Sequence, residues 1–371
     1  MTILKDLGVL FTVQKFIIIP NYGLLSDWNP LQLKLVTSIR ILPFVIFIGV
    51  DFFQVFVYKS SHTEGFSEFS RIAYIVSEFD FIMMKIIMGI VAVSAIIHNQ
   101  RHIGMLHHVE DYQQKFIEFM TKPKASVKFL NNAKFILSII QMVLMNTVVW
   151  VLEEAKYRTD SPLWFFFYSF SIVIADTVSF YIASMARILG DILVKAGMKI
   201  NTGKISLNQK ILSFDKDSLN ILTAFSATFG IMLFVTMTTH FISSCISTFF
   251  LIWLLSTRHK FDYKYCYVLA CTIWVLRSFI FLLHIAAACD HFCSALFHYQ
   301  VTLNRCMSDE QGTQIHYFNI HLFQLKKLHH DGDGVKISAL GFFNINKSSI
   351  FACVVSYNVI LMQFRQLEGN A

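Results

Sequence analysis

The chain has 371 residues, 55% of them hydrophobic and 15% charged, with 38 Phe and only 5 Pro. An ordinary soluble domain carries about 25% charged residues, so this balance, with a positive mean hydropathy, excludes that class and points to a polytopic membrane protein. The formal charge of +7 does not indicate a nucleic-acid partner, because the basic residues lie mostly in loops between apolar stretches, where they set orientation.

The chain opens with MTILKDLGVLFTVQKFIIIP, where Lys5, Asp6 and Lys15 interrupt the apolar run. No secretory signal peptide is expected there, and a later apolar segment serves for targeting. A hydrocarbon core of about 30 Å takes roughly 20 apolar residues in a helix. Seven stretches satisfy this: Leu35–Tyr58, Ile72–His98, Ala133–Leu152, Leu163–Leu189, Leu222–Leu255, Tyr265–Ala288 and Asn346–Phe364. No repeat, Gly/Ser linker or low-complexity segment divides them. Residues 1–371 therefore read as one all-α membrane domain, with six helices in 35–288, an anchor region in 289–345 and a final helix in 346–364.

Lys and Arg orient the spans. Three connections carry the larger basic sets: Arg101, Lys115, Lys122, Lys124 and Lys128; then Lys195, Lys199, Lys204, Lys210 and Lys216; then Arg305, Lys326, Lys327 and Lys336. These belong in the cytoplasm, which predicts a cytoplasmic N-terminus and an extracellular C-terminus. The short loop with Arg258, Lys260 and Lys264 runs against this trend. Within the cytoplasmic connections, His107–Met120 and Phe318–Leu328 repeat apolar residues at three- and four-residue spacing, predicting long helical extensions packed beneath the bilayer.

The last helix carries a polar stripe. At 3.6 residues per turn, Ser349, Ala352, Ser356, Ile360 and Gln363 share one face, while Phe351, Val354, Val355, Leu361 and Met362 cover the rest. Such a face is costly against lipid and suits either a second helix or a water-filled path. With one narrow stripe per chain, a pore requires several copies around an axis.

The same segment carries a family likeness. GFF–N–I at Gly341–Ile345, then Ser356-Tyr357, five residues, and Gln363-Phe364 resembles the insect gustatory receptor signature of TY, five apolar residues and QF. Ser356 stands for Thr, and Asn358 for an apolar residue. The seven spans and the near-absent tail extend the resemblance along the chain. It implies a ligand-gated, nonselective cation channel passing Na, K and Ca, a tetramer with the last helices around a central pore, and a constriction at Gln363 and Phe364. It also implies a multi-pass plasma-membrane protein surrounded by lipid, assembled as a homotetramer or with sister receptors, and opened by a tastant such as a sugar or a bitter compound.

Charged residues inside the spans need partners or water. Asp176 lies about halfway along its stretch, Arg277 at similar depth, and Glu78, Asp80 and Lys85 in the second stretch. Asp176 with Arg277 or Lys85 is the expected pair, either fixing helix register or walling a ligand pocket. Trp150, Trp164, Phe165, Phe167, Tyr168, Tyr265, Tyr267 and Trp274 cluster toward the outer ends, partly as an interfacial belt. The deeper Tyr168, Tyr267 and Trp274, with Asn146, Trp150, His240 and Ser243, suit a small-molecule site. By the family likeness this pocket opens outward among helices three to six, and its contacts are expected to include Tyr168, Asp176, His240, Tyr267 and Trp274.

The seven Cys lie in or beside apolar segments, so no disulfide framework is expected. Cys289 and Cys293 flank His291 within CDHFC, but no fuller set of zinc ligands accompanies them. HHDGDG from His329 to Gly334 begins like a calcium loop, but its twelfth position is Phe342 instead of Glu. No metal and no cofactor are therefore expected. The sequon at Asn346 falls on the cytoplasmic side. Competing classes are a G-protein-coupled receptor, which needs the opposite orientation, a transporter, which shows no inverted repeat, an odorant-receptor-type channel, and an enzyme, for which no nucleophile-base set is present.

Overall fold

The structure, a computed structural model, describes four helices and a small hairpin, together with scattered positions at 49, 89–98, 136–147, 337–345 and 348–363. The helices are α1 (Asn99–Ile117), α2 (Pro162–Asn201), α3 (Gln209–Ser256) and α4 (Lys264–Asp309). Strands β1 (Ser338–Ala339) and β2 (Phe343–Asn344) pair antiparallel, Ser338 with Asn344 and Ala339 with Phe343.

Local sequence explains the long helices. Pro162 occupies the first position of α2, where its fixed φ suits a helix start and its missing N–H costs nothing. No Pro interrupts the interiors of α2, α3 or α4. Several hydroxyls inside them are satisfied by the preceding turn: Thr239 Oγ1 donates to the Val235 carbonyl at 2.7 Å, Thr248 to Ser244 at 2.8 Å and Thr272 to Val268 at 2.7 Å. In a bilayer, where no water can take that place, these bonds remove the cost of an unpaired hydroxyl.

Three described helices are long and apolar enough to cross a membrane, within Asp176–Ile200, Ser218–Ser256 and Val268–Leu303. They correspond to the fourth, fifth and sixth predicted stretches, but they overrun them. α2 continues past Leu189 to Asn201, α3 begins at Gln209 rather than Leu222, and α4 runs unbroken through Ala288 to Asp309. At 1.5 Å per residue, helices of 40, 48 and 46 residues span roughly 60–70 Å, twice the hydrocarbon thickness. The predicted boundary at 288/289 is thus not a break in the backbone. The second stretch continues likewise: backbone bonds from His98 N to the Ser94 carbonyl and from His102 N to the His98 carbonyl carry it into α1.

α4 packs along both α2 and α3, which meet each other only briefly, while α1 and the hairpin lie against α3. α2 and α4 run parallel in register. Asp176 meets Arg277, and Asp191 meets His291, pairs 101 and 100 residues apart. α3 runs the other way, with His240 beside Phe281 and Phe225 beside Phe292. Small residues let the parallel pair approach: Ala183, Ala186 and Ala286 are fully buried, and a Cβ at Gly197 would stand 3.8 Å from the Tyr299 Cα. The lower core is aromatic, with Tyr181, Phe225, Phe229, Phe292 and Tyr299 among the largest enclosed side chains. Leu269, Leu276 and Ile280 form an exposed apolar stripe on α4, the composition of a lipid-facing surface.

Candidate functional site

A polar layer crosses the bundle where α2, α3 and α4 meet. Asp176, Arg277 and His240 each lie about 20–24 Å along their helices from the Pro162, Lys264 and Ser256 ends, because the register described above places them side by side. Arg277 Nη2 donates to Asp176 Oδ1, with both side chains buried. The guanidinium lies 4.7 Å from the Trp274 ring centroid and 5.2 Å from that of Phe281, a cation–π arrangement that gains strength away from water.

The His240 ring stacks on Phe281 at 4.8 Å, with 11° between planes, and Nε2 lies 3.5 Å from the Ser179 Oγ. Phe180 meets Phe281 edge-on at 5.1 Å and His284 at 5.3 Å. Thr177, Thr239, Ser243, Ser244 and Ser278 are also buried near these levels of the three helices. A charge pair in such surroundings holds only if both partners stay, since either alone would be an uncompensated charge.

Below this layer, toward the predicted cytoplasmic side, two further contacts tie the helices. His102 Nε2 of α1 lies 2.8 Å from the Tyr181 OH of α2, and His102 packs edge-on against Phe229 of α3 at 5.1 Å. Burial lowers the His102 pKa to about 3, so the imidazole is neutral at physiological pH. Asp191 Oδ1 and His291 Nε2 stand 2.8 Å apart between α2 and α4, each side chain about one-third exposed. Next to them, the Cys293 thiol engages the backbone of Ile337. Ile337 and Ile345, buried in the core, flank the hairpin and are joined by an Ile345 N to Ile337 carbonyl bond of 2.9 Å. The hairpin thus docks on the long helices immediately before the last helix begins.

The last helix touches α3 through Tyr357, whose ring lies 5.7 Å from Phe241 in an edge-on arrangement. Ala352, Ser356 and Gln363 on its small and polar stripe are exposed, as are Phe351, Val355 and Val359.

Of the residues singled out from sequence, Asp176, His240, Trp274 and Arg277 come together. Tyr168 and Tyr267 lie on α2 and α4, roughly 12–15 Å along the helices from the Asp176–Arg277 level. Lys85, Asn146, Trp150, Ser349, Ile360 and Phe364 lie outside the described residues. Ser179, Phe180, Phe281 and His284 belong to the layer and were not singled out. Hydroxyl and aromatic residues are common in apolar helices, and only the spacing of Ser179 and Phe180 one turn beyond Asp176 hinted at them. His291, read within CDHFC, is partnered by Asp191, and Cys245, Cys271, Cys289 and Cys293 are free thiols.

Helices of twice the bilayer thickness, joined through a buried ion pair and continued by packed extensions, define a multi-pass α-helical membrane protein. The chain belongs to the 7tm chemosensory receptor family, whose model matches residues 16–368. Its fold is similar to that of the insect olfactory receptor OR5 of Machilis hrabei in complex with eugenol, with a TM-score of 0.63 and 11% identity over 97% of each chain. A second structure of that receptor gives a TM-score of 0.61 and 12% identity, again over 97% of each chain. No curated protein matches the chain in sequence. The chain is accordingly a multi-pass chemosensory receptor, a class without catalytic chemistry.

Proposed function

We propose that the protein is a ligand-gated cation channel with the architecture of an odorant-receptor-type channel. In this reading a small molecule binds the outer half of the bundle, beside the Asp176, His240, Trp274 and Arg277 layer. Four copies then open a pore lined by their last helices. The observation that carries the reading is the last helix itself. It holds to its own chain through Tyr357 and Phe241, while Ala352, Ser356 and Gln363 stay exposed along one face. A stripe of small and uncharged polar groups is unfavourable against lipid but solvates a passing cation.

The hairpin supports a coupling route, since it joins the Cys293 region of α4 to the start of that helix. Ligand binding shifts the closed–open balance only by its differential affinity for the two states. The olfactory receptor with the same fold holds eugenol, which supports a small organic ligand here.

A gustatory role is the second reading, favoured by Ser356-Tyr357 and Gln363-Phe364. Whole-cell recording from cells expressing this chain alone tests both. The expected result is a nonselective cation current evoked by odorants or tastants and independent of intracellular GTP. A response abolished by removing GTP would instead establish G-protein coupling.

A further inference from the structure

The polar layer leaves a strong donor unused. Arg277 Nη2 is committed to Asp176, but Nε is buried and meets no hydrogen-bond partner among the described residues. The Oγ of the adjacent Ser278 is buried and unpartnered in the same sense. Nearly all buried polar groups in folded proteins are paired, and an unmade bond on a charged donor is among the costliest exceptions. The guanidinium that carries this donor lies 4.7 and 5.2 Å from the Trp274 and Phe281 ring centroids.

Resting on the pocket reading above, we propose that Arg277 Nε anchors an acceptor oxygen of the ligand, and that the ligand is an uncharged molecule with an aromatic body and one such oxygen. Phenols, aryl ethers and aryl ketones fit this description. The charge follows from Asp176: it already compensates Arg277, so an ionic ligand would bring an unbalanced charge into a membrane-buried layer. The aromatic body follows from the aromatic surroundings of the guanidinium, Trp274 above all, since Phe281 already stacks on His240. A sugar fits poorly, because among the described residues its many hydroxyls would face two unpartnered polar atoms in this layer, and each unmet hydroxyl lowers affinity.

The test is a set of dose–response currents from cells expressing the full chain. The probes are acetophenone against α-methylstyrene, anisole against ethylbenzene, benzoate as an anion and sucrose as a polyol. Oxygenated members are expected to act at about 10-fold lower concentration than their hydrocarbon counterparts, the worth of one charge-assisted hydrogen bond. Arg277→Lys keeps a cation opposite Asp176 but has no donor at the Nε position, so it should abolish this advantage, read as the ratio of potencies within each pair whatever the overall response. If that variant fails to reach the surface, the neutral pair Asp176→Asn with Arg277→Gln is read instead, with the same expectation.

Equal potency within the pairs, a preference for benzoate or sucrose, silence to the oxygenated members, or an advantage that survives the loss of Arg277 would each overturn the anchor. The last result would mean that an ordered water occupies Nε. Trp274→Ala separates the pocket from the anchor. If it shifts the response to whichever probe is active while Arg277→Lys spares the oxygen preference, the pocket stands and the anchor falls. If it shifts nothing, the pocket reading itself fails.

Discussion

Gly190 of α2 lies so close to His291 of α4 that a Cβ at Gly190 would stand 2.6 Å from the ring Cδ2 and 3.0 Å from Nε2. The same Cβ would be 3.2 Å from the Phe292 Cα, and a backbone atom cannot swing aside. Gly190→Ala should therefore displace His291 from Asp191 and push the parallel helices apart. The expected cost is about 1–3 kcal/mol, as for other overpacked contacts. Thermal melting of the purified receptor in detergent measures it. Because the Phe292 contact persists, His291→Ala should recover only part of the loss in the double variant, and full stability in Gly190→Ala would show that the helices are not in tight contact there.

Asp176→Asn removes the charge opposite Arg277 and leaves a buried cation. Loss of one partner from a buried pair costs about 3–5 kcal/mol, enough to reduce surface expression several-fold. Converting both residues, Asp176→Asn with Arg277→Gln, should restore expression because neither charge is then stranded. A double variant no better expressed than the single one would mean that the two residues do not act as a unit.

Stability should fall with acid through His102. α1 lies beyond the predicted membrane span, and burial moves the pKa of His102 from 6.5 down to about 3 in the folded protein. The unfolded chain therefore takes up the proton first. The stabilisation is complete above pH 6.5 and is lost progressively as pH falls toward 3, at about 1.4 kcal/mol per unit. His102→Gln, which keeps a hydrogen-bonding group beside Tyr181 without titrating, should flatten the pH dependence of the melting temperature between 6.5 and 5. An unchanged slope would assign the acid sensitivity to other groups.

For the gate, Phe364→Ala should raise the current without ligand, and Gln363→Glu should change ionic permeability ratios by adding a fixed charge to the exposed stripe. Single-channel recording with biotinylation of surface protein reads both. Wild-type resting current and selectivity in well-expressed variants would put the constriction elsewhere.

Orientation is open to a direct check. The asymmetry of Lys and Arg predicts Met1 inside and Ala371 outside. A tag at the C-terminus should stain on intact cells, and one at the N-terminus only after permeabilisation. The reverse pattern would remove the channel reading together with the topology.

Hydropathy is a local property and the bilayer sets one length, so the apolar stretches ending near Leu189, Leu255 and Ala288 were legible in the sequence. How far the helices continue was not. Residues 190–201 and 289–309 mix charges with apolar positions, and they stay helical because Ile192, Leu193, Ala196 and Ile200 bury against Phe292, Ala295, Leu296 and Tyr299 in a shared core. That Asp176 needs a cation followed from the cost of charge in a membrane. Its pairing with Arg277 was decided by the parallel register of α2 and α4, which is set by small residues at their seam. The stacking of His240 on Phe281 and the bond from His102 to Tyr181 join residues on different helices. No spacing along the chain encodes such contacts, and only the packing of one helix against another creates them.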